Sequence, residues 1–351
     1  MTPEFFQQAL LHWFDRAGRQ HLPWQQEPSP YRIWVSEIML QQTRVATVIP
    51  YFHRFVDAFP ELPALAAADL AEVLQHWAGL GYYARGRNLH RAARLALERH
   101  GGRLPERLPE LQALPGIGRS TAGAILSMGY GIRAPILDGN VKRVLARYAA
   151  LEGWPGRREV ANRLWELADR FTPAARVGNY TQAIMDLGAT LCTPRRPTCP
   201  QCPLRPGCLA LRRGSAEQLP TPGPRRTLPV RTCYLLALGD GSGAYFLERR
   251  PPAGIWGGLW SLPEFAGREQ LENWCQRHGI DPGGLETLPP CRHTFSHFRL
   301  DFTPVVGRLA CPGAIADGAG GDWIRPAPDT ALPAPIRRLL ESLLPNPVAA
   351  P

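Results

Sequence analysis

The sequence predicts two unlike domains: an all-α domain over residues 1–218 and an α/β (α+β) domain over residues 230–351. Three observations carry this. Apolar residues recur at steps of three and four through residues 1–190, with no run of strand-like alternation. Leu219-Pro-Thr-Pro-Gly-Pro-Arg-Arg-Thr-Leu-Pro229 then packs four prolines and a glycine into a stretch that regular structure cannot use, which makes 219–229 a linker. Beyond it, Arg231–Leu238 and Ala244–Arg249 alternate in the manner of strands around Asp240-Gly-Ser-Gly, a hairpin signal.

The helices follow in order. Phe5, Phe6, Leu10, Trp13 and Phe14 make the first apolar stripe. Ser29-Pro30 starts a second helix, with serine as cap and proline at the first helical position. The run from Tyr31 to Phe59 is expected to break at Pro50. Arg85–His100 carries a basic face and stops at Gly101-Gly102. Further helices are expected over Pro109–Leu114, Ser120–Tyr130, Asn140–Ala150, Glu159–Phe171 and Ala174–Ala189. In the second domain Arg299–Gly307 reads as a strand, and Glu269–His278 and Ala334–Leu344 as helices.

At 351 residues and 44% apolar content the chain is globular rather than disordered. No apolar run reaches the ~18 residues of a membrane span, and the start lacks the basic n-region of a secretory signal. A cytoplasmic protein, associated with the nucleoid when on DNA, is the expectation. The formal charge of +10 is unevenly spread. Residues 1–228 hold 29 Lys and Arg against 18 Asp and Glu, and the remainder holds 11 against 12. The surplus therefore lies in the helical domain and favours a polyanionic partner there, nucleic acid first. Lys142 is the single lysine among 40 basic residues.

Pro115-Gly-Ile-Gly118 joins two short helices. Gly116 and Gly118 permit positive φ and close backbone approach, and the turn feeds a helix start whose free N–H groups suit a phosphate. Cys192, Cys199, Cys202 and Cys208 crowd one short loop, which in this compartment argues for a metal group over disulfides; the spacing fits zinc or an iron–sulfur cluster. Arg195, Arg196 and Arg205 lie between these ligands, where guanidiniums could meet phosphates. Cys233, Cys275, Cys291 and Cys311 are scattered and have no assigned role. Glu37 shares a helical face with Ile33 and Leu40, which should raise its pKa and suit a general acid. Asp138 precedes a helix as a natural cap, and a carboxylate held by backbone N–H groups stays ionised. One neutral and one ionised carboxyl form the pairing that cleaves a glycosidic bond.

The hairpin turn, Leu137-Asp138-Gly139-Asn140-Val141 and the four-cysteine loop together resemble the helix-hairpin-helix DNA glycosylases with an iron–sulfur loop. Glu37 in Ser-Glu-Ile-Met-Leu-Gln-Gln-Thr, with a second domain after the linker, is similar to the adenine DNA glycosylases of the MutY family. The resemblance implies a helix-hairpin-helix over about 109–130, a [4Fe-4S] cluster on the cysteines of loop 192–208, and a Nudix-like second domain. It implies a monomer acting on duplex DNA with adenine opposite 8-oxoguanine or guanine, the adenine being flipped from the stack. Glu37 would protonate adenine, Asp138 would stabilise the sugar cation, and Asn140 and Tyr82 would support them. Trp24 and Gln182 would line the adenine site. Gln42, Thr43 and Leu80 would enter the duplex, while Gly116, Gly118 and Ser120 lie in the docking hairpin. In the second domain Gly254–Phe265 fits the family, and Phe295, Ser296 and His297 would read 8-oxoguanine. A hydrolytic Nudix box is missing from the sequence, so that domain should read DNA rather than hydrolyse nucleotides.

The rival reading is an endonuclease III-like glycosylase/lyase acting on oxidised pyrimidines. That chemistry needs a lysine Schiff base, and Ser120 stands where such relatives carry the lysine. A second rival, a non-catalytic DNA-binding protein, leaves Glu37 and Asp138 without a purpose.

Overall fold

In the computed structural model, residues 2–224, 227–251, 254–309, 315, 320–327 and 330–343 are described. Arg225 and Arg226 of the linker, Cys311 and Leu344 lie outside them. The chain divides into two units, residues 1–68 with 85–225, and residues 69–84 with 226–351. The sequence reading kept 69–84 with the first domain; the contacts group it with the second.

The first unit is helical. Its helices are α1 (Pro3–Ala17), α2 (Pro23–Gln26), α3 (Pro30–Leu40), α4 (Val45–Ala58) and α5 (Leu62–Ala67). Helix α6 (Leu70–His76) belongs to the second unit. The first unit continues with α7 (Ala84–His100), α8 (Leu108–Gln112), α9 (Arg119–Ala124), α10 (Gly139–Tyr148), α11 (Arg158–Phe171), α12 (Val177–Thr190) and α13 (Leu209–Arg212). Ser29 caps α3 as its sequence suggests, its Oγ accepting from Arg32 N–H at 3.2 Å. The stripe of α1 buries Phe6, which stacks on Phe171 at 4.4 Å and meets Tyr148 edge-on at 4.7 Å. This core joins α1, α10, α11 and α12, and Cys192, Cys202 and Cys208 pack against it. The cysteine loop is thus anchored to the packed core.

Two boundaries differ from the sequence reading. The break expected at Pro50 falls at Gln41–Arg44 instead, where Gln42 takes φ 58°. Pro50 stays inside α4, where it and Ala46 are both exposed, so the carbonyl deprived of a donor faces water. The helix expected over Ser120–Tyr130 is α-helical only to Ala124 and then widens into a π turn over Ile125–Gly129.

The second unit holds a mixed sheet. Its strands are β1 (Val230–Gly239), β2 (Tyr245–Arg249), β3 (Trp260–Ser261), β4 (Glu264–Phe265), β5 (Glu286–Thr287), β6 (Cys291–Thr294), β7 (Arg299–Arg308) and β8 (Gly321–Ile324). The order β3-β2-β1-β7-β5 carries β4 against β1, β6 against β7 and β8 against β2. Strands β1 and β7 pair in parallel from Val230↔Arg299 to Gly239↔Arg308, and the other pairs are antiparallel. Helix α14 (Arg268–Arg277) buries Leu271 and Trp274 with Leu236, Leu238, Phe246 and Val305. Helix α15 (Ala334–Leu343) ends the described chain.

The two hairpin glycines are not equivalent. Gly116 has φ +80°, and a Cβ there would stand 3.0 Å from Asn88 Cβ. Gly118 caps α9 in extended backbone at φ −84°, with open space where a Cβ would go. Both glycines permit positive φ, and only Gly116 uses it. Gly116→Ala should therefore cost about 1–2 kcal/mol of stability, and Gly118→Ala less than about 1 kcal/mol. Urea unfolding of the two variants checks the order, and equal losses would contradict it.

Candidate active site

Glu37 lies on α3 among Ile33, Trp34, Ile38 and Met39, all buried. Burial pushes its carboxyl up to about 8, and the charge of Asp138 pushes the same way. The upward shift expected from its apolar face is present, and at neutral pH Glu37 carries a proton. Asp138 is the cap of α10: Oδ1 accepts from Val141 N–H at 2.7 Å, and Oδ2 from the Asn140 amide at 3.3 Å. Burial raises its pKa as well, against the pull of these donors and of the Arg143 charge. This corrects the expectation that backbone donors alone decide its ionisation. Between the two coupled carboxyls, Glu37 keeps the proton, because Asp138 has the donors and the nearby guanidinium.

Behind Asp138 the polar contacts run toward the cysteine loop. Arg143 donates to the Asn140 side-chain oxygen at 2.8 Å, to Gly188 O at 2.6 Å and to Cys192 O at 2.7 Å. A Cβ on Gly188 would lie 2.6 Å from Asn140 Cβ, so glycine there lets α12 close on α10. Arg147, one turn further along α10 and buried, donates to Thr193 O, Pro194 O and Leu219 O, and reaches Cys192 Sγ at 3.3 Å. The start of the linker is thereby fastened to the first unit, as is Thr221, whose hydroxyl accepts from Gly153 N–H.

The four loop cysteines line one cavity of about 30 Å³. Among the described residues, no three Cys, His, Asp or Glu side chains converge as a single metal ion requires. Burial pushes the Cys202 thiol up to about 12, so its thiolate needs a metal or comparable charge beside it. A buried guanidinium aimed at the Cys192 sulfur suits an anionic sulfur. Four cysteine sulfurs around one cavity are a donor set that suits a bound metal group, zinc and an iron–sulfur cluster alike. Arg195, Arg196 and Arg205 are all exposed around it.

A second cavity, of about 250 Å³, opens between α1, α3 and α12, with Gln20, Gln25, Ile33, Met128, Asn179 and Gln182 in its wall. Ile33 lies one turn before Glu37. Gln182 is buried and lines the cavity. Trp24 is buried and edge-on to Phe52, and its neighbour Gln25 lines the cavity. Gln42 and Thr43 form the turn after α3. There Arg85 donates to Ile38 O and Met39 O at 2.9 and 2.7 Å and to Thr43 Oγ1 at 3.1 Å. Arg85 thus caps the helix that carries Glu37.

Leu80 and Tyr82 fall in the segment grouped with the second unit. Leu80 is buried, and Tyr82 is 49% exposed on left-handed backbone at φ 49°. Gly116 and Gly118 are exposed on the hairpin. Ser120 turns inward, and its Oγ accepts from Leu137 N–H at 3.0 Å, next to Asp138. In the second unit Phe295 N–H bonds Phe298 O at 2.9 Å and closes a turn with Ser296 and His297 exposed at its tip. Phe295 stacks on Phe298 at 4.5 Å and meets His293 edge-on at 4.6 Å, and Trp256 lies at 5.7 Å.

Sequence reasoning missed Arg143, Arg147, Arg85, Arg19 and Asp186. The signals were faint: Arg143 and Arg147 follow Asn140 along one face of α10, and Asp186 follows Gln182 by one turn on α12.

Residues 35–170 match the family described as HhH-GPD superfamily base excision DNA repair protein, and residues 233–342 match the NUDIX domain. The chain is 35% identical to the adenine DNA glycosylase of Buchnera aphidicola subsp. Acyrthosiphon pisum over 99% of each chain. Among solved structures it is similar to a thermostable thymine-DNA glycosylase, at 26% identity and TM-score 0.55, covering 60% of this chain and 97% of that one. A non-covalent endonuclease III–DNA complex matches the fold at 21% identity and TM-score 0.51, covering 61% and 98%.

The Glu37 shift has a stability consequence. The folded protein holds this proton up to about pH 8, while an ordinary glutamate releases it near 4.5. Between those values the folded state binds more protons than the unfolded one, so stability falls as pH rises through the window. Glu37→Gln removes that slope. Its Tm relative to the parent should climb between pH 4.5 and 8 and stay level below it. Parallel melting curves across that range would show the carboxyl to be unshifted.

Proposed function

The chain belongs to the adenine DNA glycosylases, and on that premise we propose that it excises adenine paired with 8-oxoguanine or guanine and stops at the abasic site. The observation that carries this reading is a protonated Glu37 beside an Asp138 locked at a helix start.

The chemistry follows from that asymmetry. With adenine flipped into the Gln182 cavity, Glu37 donates its proton to N7. The C1′–N9 bond then breaks with both electrons leaving on the base. The sugar is left as an oxocarbenium-like centre, which the Asp138 carboxylate stabilises electrostatically or by a transient bond. Water adds at C1′ and gives up a proton, so the products are free adenine and an abasic sugar. Asn140 holds Asp138 and is itself held by Arg143. Tyr82 is read as a support for the flipped nucleotide.

Cys192, Cys199, Cys202 and Cys208 would hold a [4Fe-4S] cluster, which when bound supplies a stiff cross-link for the loop. The exposed hairpin at Gly116 and Gly118 would meet a phosphate, and Gln42 and Thr43 the duplex near the orphaned base. Phe295, Ser296 and His297 would inspect 8-oxoguanine. The protein is read as a cytoplasmic monomer working on the chromosome.

The lack of strand cleavage rests on Ser120 and on the scarcity of lysine. Duplexes containing A·8-oxoguanine, A·G or an oxidised pyrimidine, run on gels with and without alkali, test it. Adenine duplexes should break only after alkali and the pyrimidine duplex should stay whole. Efficient breakage without alkali would establish the lyase reading instead. Two further outcomes are expected. Glu37→Gln should bind DNA and release no base, and the parent's single-turnover rate should fall as pH rises through about 8.

A further inference from the structure

Asp186 is fully buried on α12, one helical turn beyond Gln182. Its Oδ1 accepts from the Gln182 NH2 at 2.8 Å and from Arg19 at 2.9 and 2.6 Å. Its Oδ2 accepts from Arg19 backbone N–H at 2.8 Å. A carboxylate can only accept, so the Gln182 amide must turn its NH2 toward Asp186. Its carbonyl is therefore held away from that contact. Gln182 Oε1 is buried and has no hydrogen-bond partner among the described residues. Gln182 also lines the 250 Å³ cavity. A buried acceptor without a donor is a vacancy in hydrogen bonding that a ligand donor would fill.

We propose that the Arg19–Asp186 pair is the positioning element that sets the Gln182 amide, so that the cavity accepts a purine bearing a hydrogen-bond donor at C6 and rejects a 6-oxopurine. The inference rests on adenine occupying this cavity, as in the proposed function. The exocyclic amino group of adenine donates to Gln182 Oε1. Guanine or hypoxanthine would set its own carbonyl against that oxygen, two acceptors with no proton between them. Arg19 is essential to the arrangement, because it neutralises Asp186 and leaves only one direction for the amide. An asparagine at 186 presents an NH2 of its own and frees the Gln182 amide to turn over. Arg19 also ties the connection between α1 and α2, which carries Gln20 of the cavity wall.

The test compares single-turnover excision of adenine, unsubstituted purine and hypoxanthine, each opposite 8-oxoguanine, by the full-length parent, Asp186→Asn and Gln182→Leu. Asp186→Asn should lose about tenfold on adenine and much less on purine, which has no 6-amino group to misread. Its hypoxanthine-to-adenine ratio should rise by about tenfold relative to the parent. Equal losses on adenine and purine, with an unchanged hypoxanthine ratio, would reduce Asp186 to a structural role and overturn the proposal. Gln182→Leu keeps the Arg19–Asp186 pair and so covers the case in which Asp186→Asn does not fold. It should shrink the parent's adenine-over-purine preference by about tenfold, and an unchanged preference overturns the proposal. A parent that excises none of the three bases defeats the proposed function and this inference with it. A parent active on adenine whose variants fail the ratio tests defeats this inference alone.

Discussion

A carboxylate that caps a helix cannot wander without unwinding the turn it caps. Asp138 is in that position at the start of α10, and the rest of the first unit is arranged around keeping α10 still. Arg143 fastens the helix to Gly188 O and Cys192 O, Arg147 fastens it to the cysteine loop and to Leu219 O, and the Phe6–Tyr148–Phe171 cluster holds its far end. The α10 backbone thus links the Asp138 carboxylate to the four-cysteine loop within a few residues. The cysteine loop, far from an ornament on the basic surface, is one support of the site.

The two carboxyls divide their labour by surroundings, being chemically alike. Glu37 has burial and a like charge against its ionisation. Asp138 meets the same burial, but a backbone N–H, an amide and a guanidinium favour its anion. Glu37 is set on a helix whose last carbonyls Arg85 collects, so the acid too is held from its far side. The donors that favour the Asp138 anion lie on α10 itself, and one of them, Arg143, is also tied to Gly188 O on α12.

Local signals in the sequence carried much of this. Serine before proline at 29–30, aspartate before glycine at 138–139 and four cysteines in one loop each state a local geometry, and those geometries are present or compatible with what is found. The strand pair β1 and β2 was legible from alternation, and its parallel partner β7 as a strand. What escaped was non-local. Nothing in the neighbourhood of Arg85 announces that it caps α3, since its partners lie more than forty positions earlier. Asp186 reads as one more surface acid on a helix until Arg19, 167 residues away, closes on it. Pro50 misled for the converse reason: a proline rule is local, and whether the orphaned carbonyl finds water depends on which face of α4 is exposed. The hairpin glycines show the same limit, because the sequence gives two and the backbone requires a positive φ of only one.

Ser120 connects the hairpin to the residue before the Asp138 cap. It occupies the position where strand-cleaving relatives are expected to carry a lysine, which by itself says only what chemistry is missing. The structure adds what the serine does: its hydroxyl accepts from Leu137 N–H and so fixes the residue before the cap. An ammonium cannot accept a hydrogen bond. A lysine at 120 would therefore bring in a nucleophile and remove an anchor of Asp138 at the same time. In this chain position 120 serves the backbone ahead of the Asp138 cap, a role that an acceptor can fill and an ammonium cannot.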